Sequence, residues 1–404
     1  MKKGLISLAV VSMLYSETFQ QFQQQHYNTF NTYKKNLEKE FQEYKKTLDE
    51  EFKQYKKELS KYWDEPKLTT KKTFVEYSKD KKVRKIVNYD KEQIKIDVIA
   101  KSQQEAEKKA KAALAKLSIE TTNEAFNNNP VLTKVEKKFK KVGVSSKPEN
   151  KPLIADVIYK KPPTIQDVKN YVNSSFKKAK IIKKPAKVSN SYIYSVSFPL
   201  PKNSYIIKAK RLKPYVLDKA QKFKLTPALI YAIIETESSY NPMARSYVPA
   251  FGLMQIVPQT AGKDAYKMLY GKPKLLTPGY LYNEKNNILI GSAYLKKLYY
   301  NYFKNVKNPL SRLYLTIAAY NTGAGNVACA FNSKNKDFKG RTLCYRMRGD
   351  YNIKKAVPKI NSLTPDQVYN QLINNLRYDE AKNYLKKVNY RLKKYFVAIK
   401  KGKL

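Results

Sequence analysis

Apolar side chains recur along this chain with three distinct rhythms, and each rhythm predicts a different kind of element. From Phe19 to Trp63 they repeat every 11 residues: Phe19, Phe22, His26; Phe30, Tyr33, Leu37; Phe41, Tyr44, Leu48; Phe52, Tyr55, Leu59; then Trp63. Spacings of three, four and four keep one stripe on a helix, and an 11-residue period favours a straight or slightly right-handed course, so residues 17–64 are expected as one long amphipathic helix. Between Thr73 and Ala100 the rhythm becomes alternation with charged turns, as in VRKIVNYDKEQIKIDVIA, which predicts antiparallel strands. An Ala/Lys/Glu helix follows over Gln103–Leu117, then strand signals at LIADVIY and YIYSVSF with a helix over Ile165–Lys178 between them. Residues 65–202 therefore read as a small α+β accessory domain, and nothing in it has the spacing of a catalytic site.

Beyond Asn203 the rhythm is helical throughout. In KLTPALIYAIIETESSYNP, Thr226 is placed as an N-cap and Pro227 as the first helical residue, while Asn241-Pro242 ends the run. Further helices are expected over Asn287–Phe303, Pro309–Tyr320 and Asp366–Tyr395. The fold class is α+β overall, with an all-α C-terminal domain over residues 203–404.

The first residues, MKKGLISLAVVSMLYSETFQ, set Lys2 and Lys3 ahead of an apolar run ending near Leu14. This is the layout of a secretory signal over residues 1–16, too short to span a bilayer comfortably. Cleavage after Ser16 fits imperfectly, because Leu14 occupies a position that prefers a small residue. An oxidising compartment would let Cys329 and Cys344 close a loop of about 15 residues, worth roughly 3 kcal/mol. Two unpaired thiols remain the alternative.

Charge and residue inventory narrow the chemistry. Lys plus Arg number 80 against 33 Asp plus Glu, a formal charge of +47. A polyanionic neighbour is expected: the cell wall, an anionic membrane face, or nucleic acid. A biased amino-acid usage rich in Lys, Tyr, Asn and Ile is the competing explanation. Nucleic acid fits worst, since no reading motif is present and the export signal points elsewhere. The basic strip that Tyr33, Tyr44 and Tyr55 begin beside the N-terminal stripe leaves three uses open: packing on the next domain, self-association, or peripheral contact with an anionic surface. His26 is the sole histidine and lies in a Gln-rich stretch, so Ser-His-Asp and Cys-His nucleophile systems are excluded, as is a Cys-His zinc site. No cofactor or metal is expected. Chemistry must run on carboxylates, hydroxyls, amides and lysines.

One carboxylate stands out. Ile230, Ile233 and Ile234 form a buried helix face, and the next position on that face is Glu237. Glu237 also falls in the last helical turn, where the dipole disfavours negative charge. Burial and dipole both push its pKa upward, as a general acid requires. Glu235 points the other way and is expected in solvent. A buried Glu paired with Lys or Arg is the structural alternative for Glu237.

The segment ETESSYNPMARSYVPAFGLMQIVPQTAG, followed by AAYNTGAG and YDEAKNYLKKV, resembles the lysozyme-like lytic transglycosylases of glycoside hydrolase family 23. A Glu-Ser pair, a Gly-Leu-Met-Gln turn, an Ala-Tyr-Asn-x-Gly-x-Gly turn and a terminal Glu-x-x-x-Tyr occur in the family's order. The likeness runs over residues 205–395, and more faintly over 52–201, where a member of the family carries an α+β domain. It implies a peptidoglycan-cleaving enzyme in which Glu237 is the single catalytic acid/base. The substrate's own N-acetyl oxygen would replace an enzymic nucleophile, giving a 1,6-anhydro-muramic product from glycan strands. Carried over to this chain, it implies substrate-binding roles for Ser238, Ser246, Met254, Gln255, Tyr320, Asn321, Glu380 and Tyr384, with Gly323 and Gly325 allowing close backbone approach. The small residues expected before the Gly-Leu-Met-Gln turn are partly replaced by Tyr247, Pro249 and Phe251. The stretch CAFNSKNKDFKGRTLCYRMRGD is longer than the family pattern and reads as a disulfide-closed insertion beside the cleft. That same family member is lipid-tethered through a cysteine after its signal, and this chain has none there, so an exported periplasmic enzyme, either soluble or held peripherally at the outer membrane, is expected. A goose-type lysozyme that hydrolyses the same bond, and an inactive wall-binding scaffold, are the rival readings.

Overall fold

The computed structural model describes the backbone of residues 3–404 and the side chains from residue 19 onward, except 30 and 34. The side chains of residues 1–16, where a secretory signal is expected, and Phe30 of the repeat, lie outside the described residues. The N-terminal helix runs Lys3–Leu59, and its stripe changes use along its length. Phe19 and Phe22 are more than half exposed, whereas Leu37, Phe41, Tyr44, Leu48 and Phe52 are buried in the main core. Leu59 and the following Trp63 enter a second, smaller cluster.

That second cluster is the outer face of a five-stranded antiparallel sheet. Its strands are β1 (Thr73–Tyr77), β2 (Val83–Asn88), β3 (Gln93–Ala100), β4 (Ile182–Pro185) and β5 (Tyr192–Pro199), in the order β1-β2-β3-β5-β4. Period-two alternation divides each strand between two cores. Phe74, Val87, Ile94, Ile96 and Val98 face the main core, while Val75, Tyr77, Ile86, Ile99 and Ile193 face Leu59 and Trp63. Trp63 is fixed there by its indole N–H, which donates to the Lys81 carbonyl at 2.8 Å, and by the Arg84 guanidinium 4.2 Å from its ring centre. Arg84 is itself neutralised by buried Asp97 at 2.6 Å. The exposed strand β4 was not anticipated; Lys183, Lys184 and Pro185 are residues that protect a sheet edge from further pairing.

Other departures have local causes. LIADVIY is not a strand: Ala155–Ile158 is a single helical turn, and Leu153 and Ile154 plug the space between sheet and C-terminal helices. The Leu153 carbonyl accepts from the buried Lys208 ammonium at 2.7 Å, an interaction that hydropathy does not register. The last expected helix is two, Pro365–Asn375 and Asp379–Lys400. Leu376 leaves the helical region (φ −58°, ψ 134°) while staying buried, and Asp379 and Glu380 open the new helix where its dipole favours them.

The two halves share one core. Residues from the N-terminal helix, the inner sheet face and the C-terminal helices pack in a single cluster. Arg211 crosses between them, pairing with Asp156 at 2.8 Å and Glu284 at 2.5 Å. Arg245 lies 3.4 Å over the Phe52 ring. Cys329 and Cys344 are joined in a disulfide, Cα–Cα 5.9 Å. Among the described residues, no helix is long and apolar enough to cross a membrane.

Candidate active site

The helix that carries the candidate acid runs Pro227–Ser238. Thr226 and Pro227 open it as the sequence implies, although the Thr226 side chain makes no capping bond. Ile230, Ile233 and Ile234 are fully buried, and Glu237, one turn on, is only 5% exposed. The helix stops abruptly because Ser239 and Tyr240 take left-handed conformations (φ 50° and 65°), ending it at Ser238 rather than at Asn241-Pro242. Tyr240 is held in that conformation by its hydroxyl, which bonds Tyr395 at 2.7 Å.

Burial pushes the Glu237 carboxyl above the ordinary glutamate range, against the Lys71 ammonium and the Tyr384 hydroxyl, with Glu380 adding to the rise. Lys71 Nζ lies 3.5 Å from Glu237 Oε2. The Tyr384 hydroxyl faces the same carboxylate, is itself buried, and lacks a geometrically complete hydrogen bond.

Glu235 corrects one expectation. It is not in solvent: Arg391 Nε lies 3.0 Å and Lys394 Nζ 2.8 Å from its oxygens. Burial alone would raise this carboxyl, but hydrogen bonds from Lys394 and Tyr395 and the adjacent charges hold it below the usual range. Two carboxyls two residues apart are thus driven in opposite directions, Glu235 below and Glu237 above the ordinary glutamate range.

Glu237 opens into a cleft of about 600 Å³. Ser246, Gln255, Tyr320, Asn321 and Glu380 line it, and Gly323 forms part of the wall. Three other residues sit elsewhere. Ser238 is fully buried and its hydroxyl donates back to the Ile234 carbonyl at 2.9 Å; Met254 is fully buried against Gly291; Tyr384 lies behind Glu237. Gly325 sits against Tyr351. Gly323 is required by its backbone (φ 85°, ψ 148°) and not by crowding, since a Cβ there would meet nothing within 4 Å.

The Gly-Leu-Met-Gln turn is braced from behind by one amide. Asn287 donates to the Phe251 and Leu281 carbonyls at 2.8 and 2.7 Å, and accepts from the Met254 N–H at 2.8 Å. The turn in turn presents the Met254 carbonyl to the Tyr320 hydroxyl at 2.8 Å. Gln255, at φ 49°, donates to the Gly252 carbonyl and keeps its buried Oε1 without a partner.

Residues 214–341 match the family described as transglycosylase SLT domain. Over 205 residues it is 40% identical to membrane-bound lytic murein transglycosylase C of Serratia proteamaculans, covering 50% of this chain and 51% of that one. To the protein of the same name from Haemophilus influenzae strain PittEE it is 38% identical over 202 residues, again 50% and 51%. The chain thus spans about half the length of the curated relatives it matches. Among solved structures, the 70 kDa soluble lytic transglycosylase of Escherichia coli is similar at 16% identity and a TM-score of 0.32, over 73% of this chain and 44% of that one.

The matched segment contains Glu237, the Gly252–Gln255 turn and Tyr320, while Glu380 and Tyr384 lie beyond it. Tyr294 and Lys71 are among the cleft residues that escaped the sequence reading. Tyr294 packs its ring 5.6 Å from Tyr320, one turn past Gly291 on the face that meets Met254. Lys71 comes from the N-terminal half and carried no signal among 80 basic residues.

Proposed function

We propose that the chain is a peptidoglycan lytic transglycosylase in which Glu237 is the single acid/base. The observation that carries this reading is a nearly buried carboxyl, pushed upward by desolvation, opening into a sugar-sized cleft lined by hydroxyl and amide groups. The SLT match and the names of the relatives support the same reaction class.

In this mechanism Glu237 donates its proton to the oxygen between N-acetylmuramic acid and N-acetylglucosamine as the C1–O bond breaks. The acetamido oxygen of the muramic residue closes on C1 and carries the positive charge. The muramic C6 hydroxyl then attacks C1, opening that ring, and its proton returns to Glu237. No water is consumed, and the product is a 1,6-anhydro sugar. Ser246 lines the cleft where it would orient the acetamido group, and its hydroxyl donates to the Val248 carbonyl. The unpartnered Gln255 Oε1 offers an acceptor for a sugar N–H or O–H, and Asn321 offers both a donor and an acceptor. Tyr320, tied to the Met254 carbonyl, links the turn to the acid. Met254 itself supports the turn from inside the core rather than touching sugar.

The net charge of +47 fits an exported enzyme working against carboxylate-bearing peptide stems and anionic lipid, held at the outer membrane from its periplasmic face. The deciding experiment digests purified sacculi with wild type and Glu237→Gln. Anhydro-muropeptides from the wild type and none from the variant support the proposal; reducing-end products heavier by one water indicate hydrolysis instead.

A further inference from the structure

Lys71 belongs to the segment that joins the N-terminal helix to the sheet, far in sequence from every other group at the acid. Its backbone is built to hold it there. Thr70 and Thr73 close a tight turn: the Thr70 N–H donates to the Thr73 carbonyl at 2.8 Å, and the Thr73 N–H donates to Thr70 Oγ1 at 3.2 Å. Lys71 stands at its tip.

Three bonds dock this turn on the elbow that follows the catalytic helix. The Asn241 amide donates to the Thr70 and Lys71 carbonyls, both at 3.3 Å, and the Arg245 N–H donates to the Thr70 carbonyl at 3.3 Å. On the other side Lys72 pairs with Asp90 at 2.6 Å, and Asp90 accepts from the Ser239 hydroxyl at 2.8 Å. The same elbow that stops the helix one residue after Glu237 therefore also fixes the turn that carries Lys71. The remaining groups facing the carboxylate are Glu380 and Tyr384, from the last helix, and Tyr320. Among the described residues, Lys71 is the one cation named in this group.

We infer that Lys71 is a positioning residue supplied to the active site by the N-terminal half, holding the Glu237 carboxylate in place and stabilising it after proton donation. The inference rests on Glu237 being the acid/base proposed above. A buried carboxyl with no cation beside it would keep its proton too well. It would donate reluctantly to the glycosidic oxygen and would be an unstable anion while awaiting the C6 hydroxyl proton. Lys71 offsets that penalty at 3.5 Å, and its ammonium stays partly in the cleft, where a sugar can enter beside it. The accessory domain then has a direct part in the chemistry: its loss would remove the cation as well as any wall-binding surface.

The test measures kcat and KM on purified sacculi from pH 4 to 9 for the full-length wild type, Lys71→Met and Lys71→Arg, with Glu237→Gln as control. Lys71→Met is expected to lose kcat about 10-fold, less than the roughly 100- to 10,000-fold that an acid–base group itself contributes because Lys71 acts through Glu237, with KM little changed. The alkaline limb of its kcat/KM profile should move to higher pH, because Glu237 has lost the charge that opposed protonation. Lys71→Arg should keep the wild-type limb and recover part of kcat. A merely structural lysine would lower activity without moving the limb, and that outcome overturns the inference. Should Lys71→Met be too slow to profile, the ¹³C carboxyl titration of Glu237 in glutamate-labelled protein reads the same coupling without turnover. Its signal is assigned by its absence in Glu237→Gln, and an unmoved midpoint in Lys71→Met refutes the proposal. Activity surviving in Glu237→Gln would instead remove the acid assignment itself, whereas a dead Glu237→Gln with an unmoved Lys71→Met limb removes Lys71 alone.

Discussion

Replacing Gly252 by alanine tests whether the substrate-facing turn is held from behind as its packing implies. Gly252 sits at φ 74°, and a Cβ added there would lie 2.3 Å from Asn287 Nδ2 and 2.5 Å from the Leu281 carbonyl oxygen. Those two atoms are bonded to each other at 2.7 Å, so neither can retreat without loosening the three bonds that Asn287 makes. The left-handed conformation costs an alanine about 1–2 kcal/mol. Over-packing adds about 1–3 kcal/mol, for a total of about 2–5 kcal/mol. Gly271 supplies the internal control: it has a similar φ of 80°, but a Cβ there meets nothing within 4 Å. Gly271→Ala should therefore show the conformational cost alone. Urea unfolding followed by circular dichroism and by Trp63 fluorescence gives both values. Gly252→Ala should be the less stable by about 1–3 kcal/mol. It should also lose more than about 10-fold in kcat/KM in its folded form, because the turn carries Gln255 and the Met254 carbonyl. Equal stability of the two variants would refute the claim that Asn287 and Leu281 leave no room.

Further outcomes follow from the same structure. Activity should fall as pH rises through the elevated Glu237 pKa, since the first step needs the protonated acid; a rate that climbs steadily from about pH 5 to 9 would contradict this. Glu235, held low, contributes stability that is present above the unfolded glutamate pKa and lost as pH falls through its folded value. Glu235→Gln should accordingly cost about 2–3 kcal/mol at pH 7, from a pair that is mostly buried, with the gap to wild type narrowing below about pH 4 in acid-dependent unfolding. Removing the Cys329–Cys344 bridge as a double serine variant should cost roughly 3 kcal/mol in oxidising buffer and nothing when wild type is also reduced.

Much of this architecture is legible in the sequence because periodicity and burial agree. Ile230, Ile233, Ile234 and Glu237 are predicted on a buried face and are buried, although Leu229, Tyr231 and Ala232 around the rest of the helix are buried as well. The strands of Thr73–Ala100 alternate because the sheet is packed on both sides, by two different cores. The missed helices Thr122–Asn127 and Pro130–Phe139 carried readable signals, a Thr121/Glu124 capping box and an Asn129-Pro130 start. What could not be read is pairing across the chain. Glu235 appears solvent-facing on its own helix, and only the last helix, 156 residues further on, brings Arg391 to it. Lys71 is a surface lysine by every local measure until Asn241 and Arg245 dock its turn beside Glu237. Ser238 and Met254 show the converse. Their positions in the motifs imply sugar contact, while a hydroxyl bonded back to Ile234 and a thioether against Gly291 give them structural roles.

The central claim is that Glu237 alone cycles a proton while the substrate provides its own nucleophiles. Mass analysis of the muropeptides released from purified sacculi, by wild type and by Glu237→Gln side by side, addresses it most directly. The expected result is 1,6-anhydro-muramic ends from the wild type and no release by the variant. Reducing ends carrying an added water, or anhydro products still formed by Glu237→Gln, would contradict it.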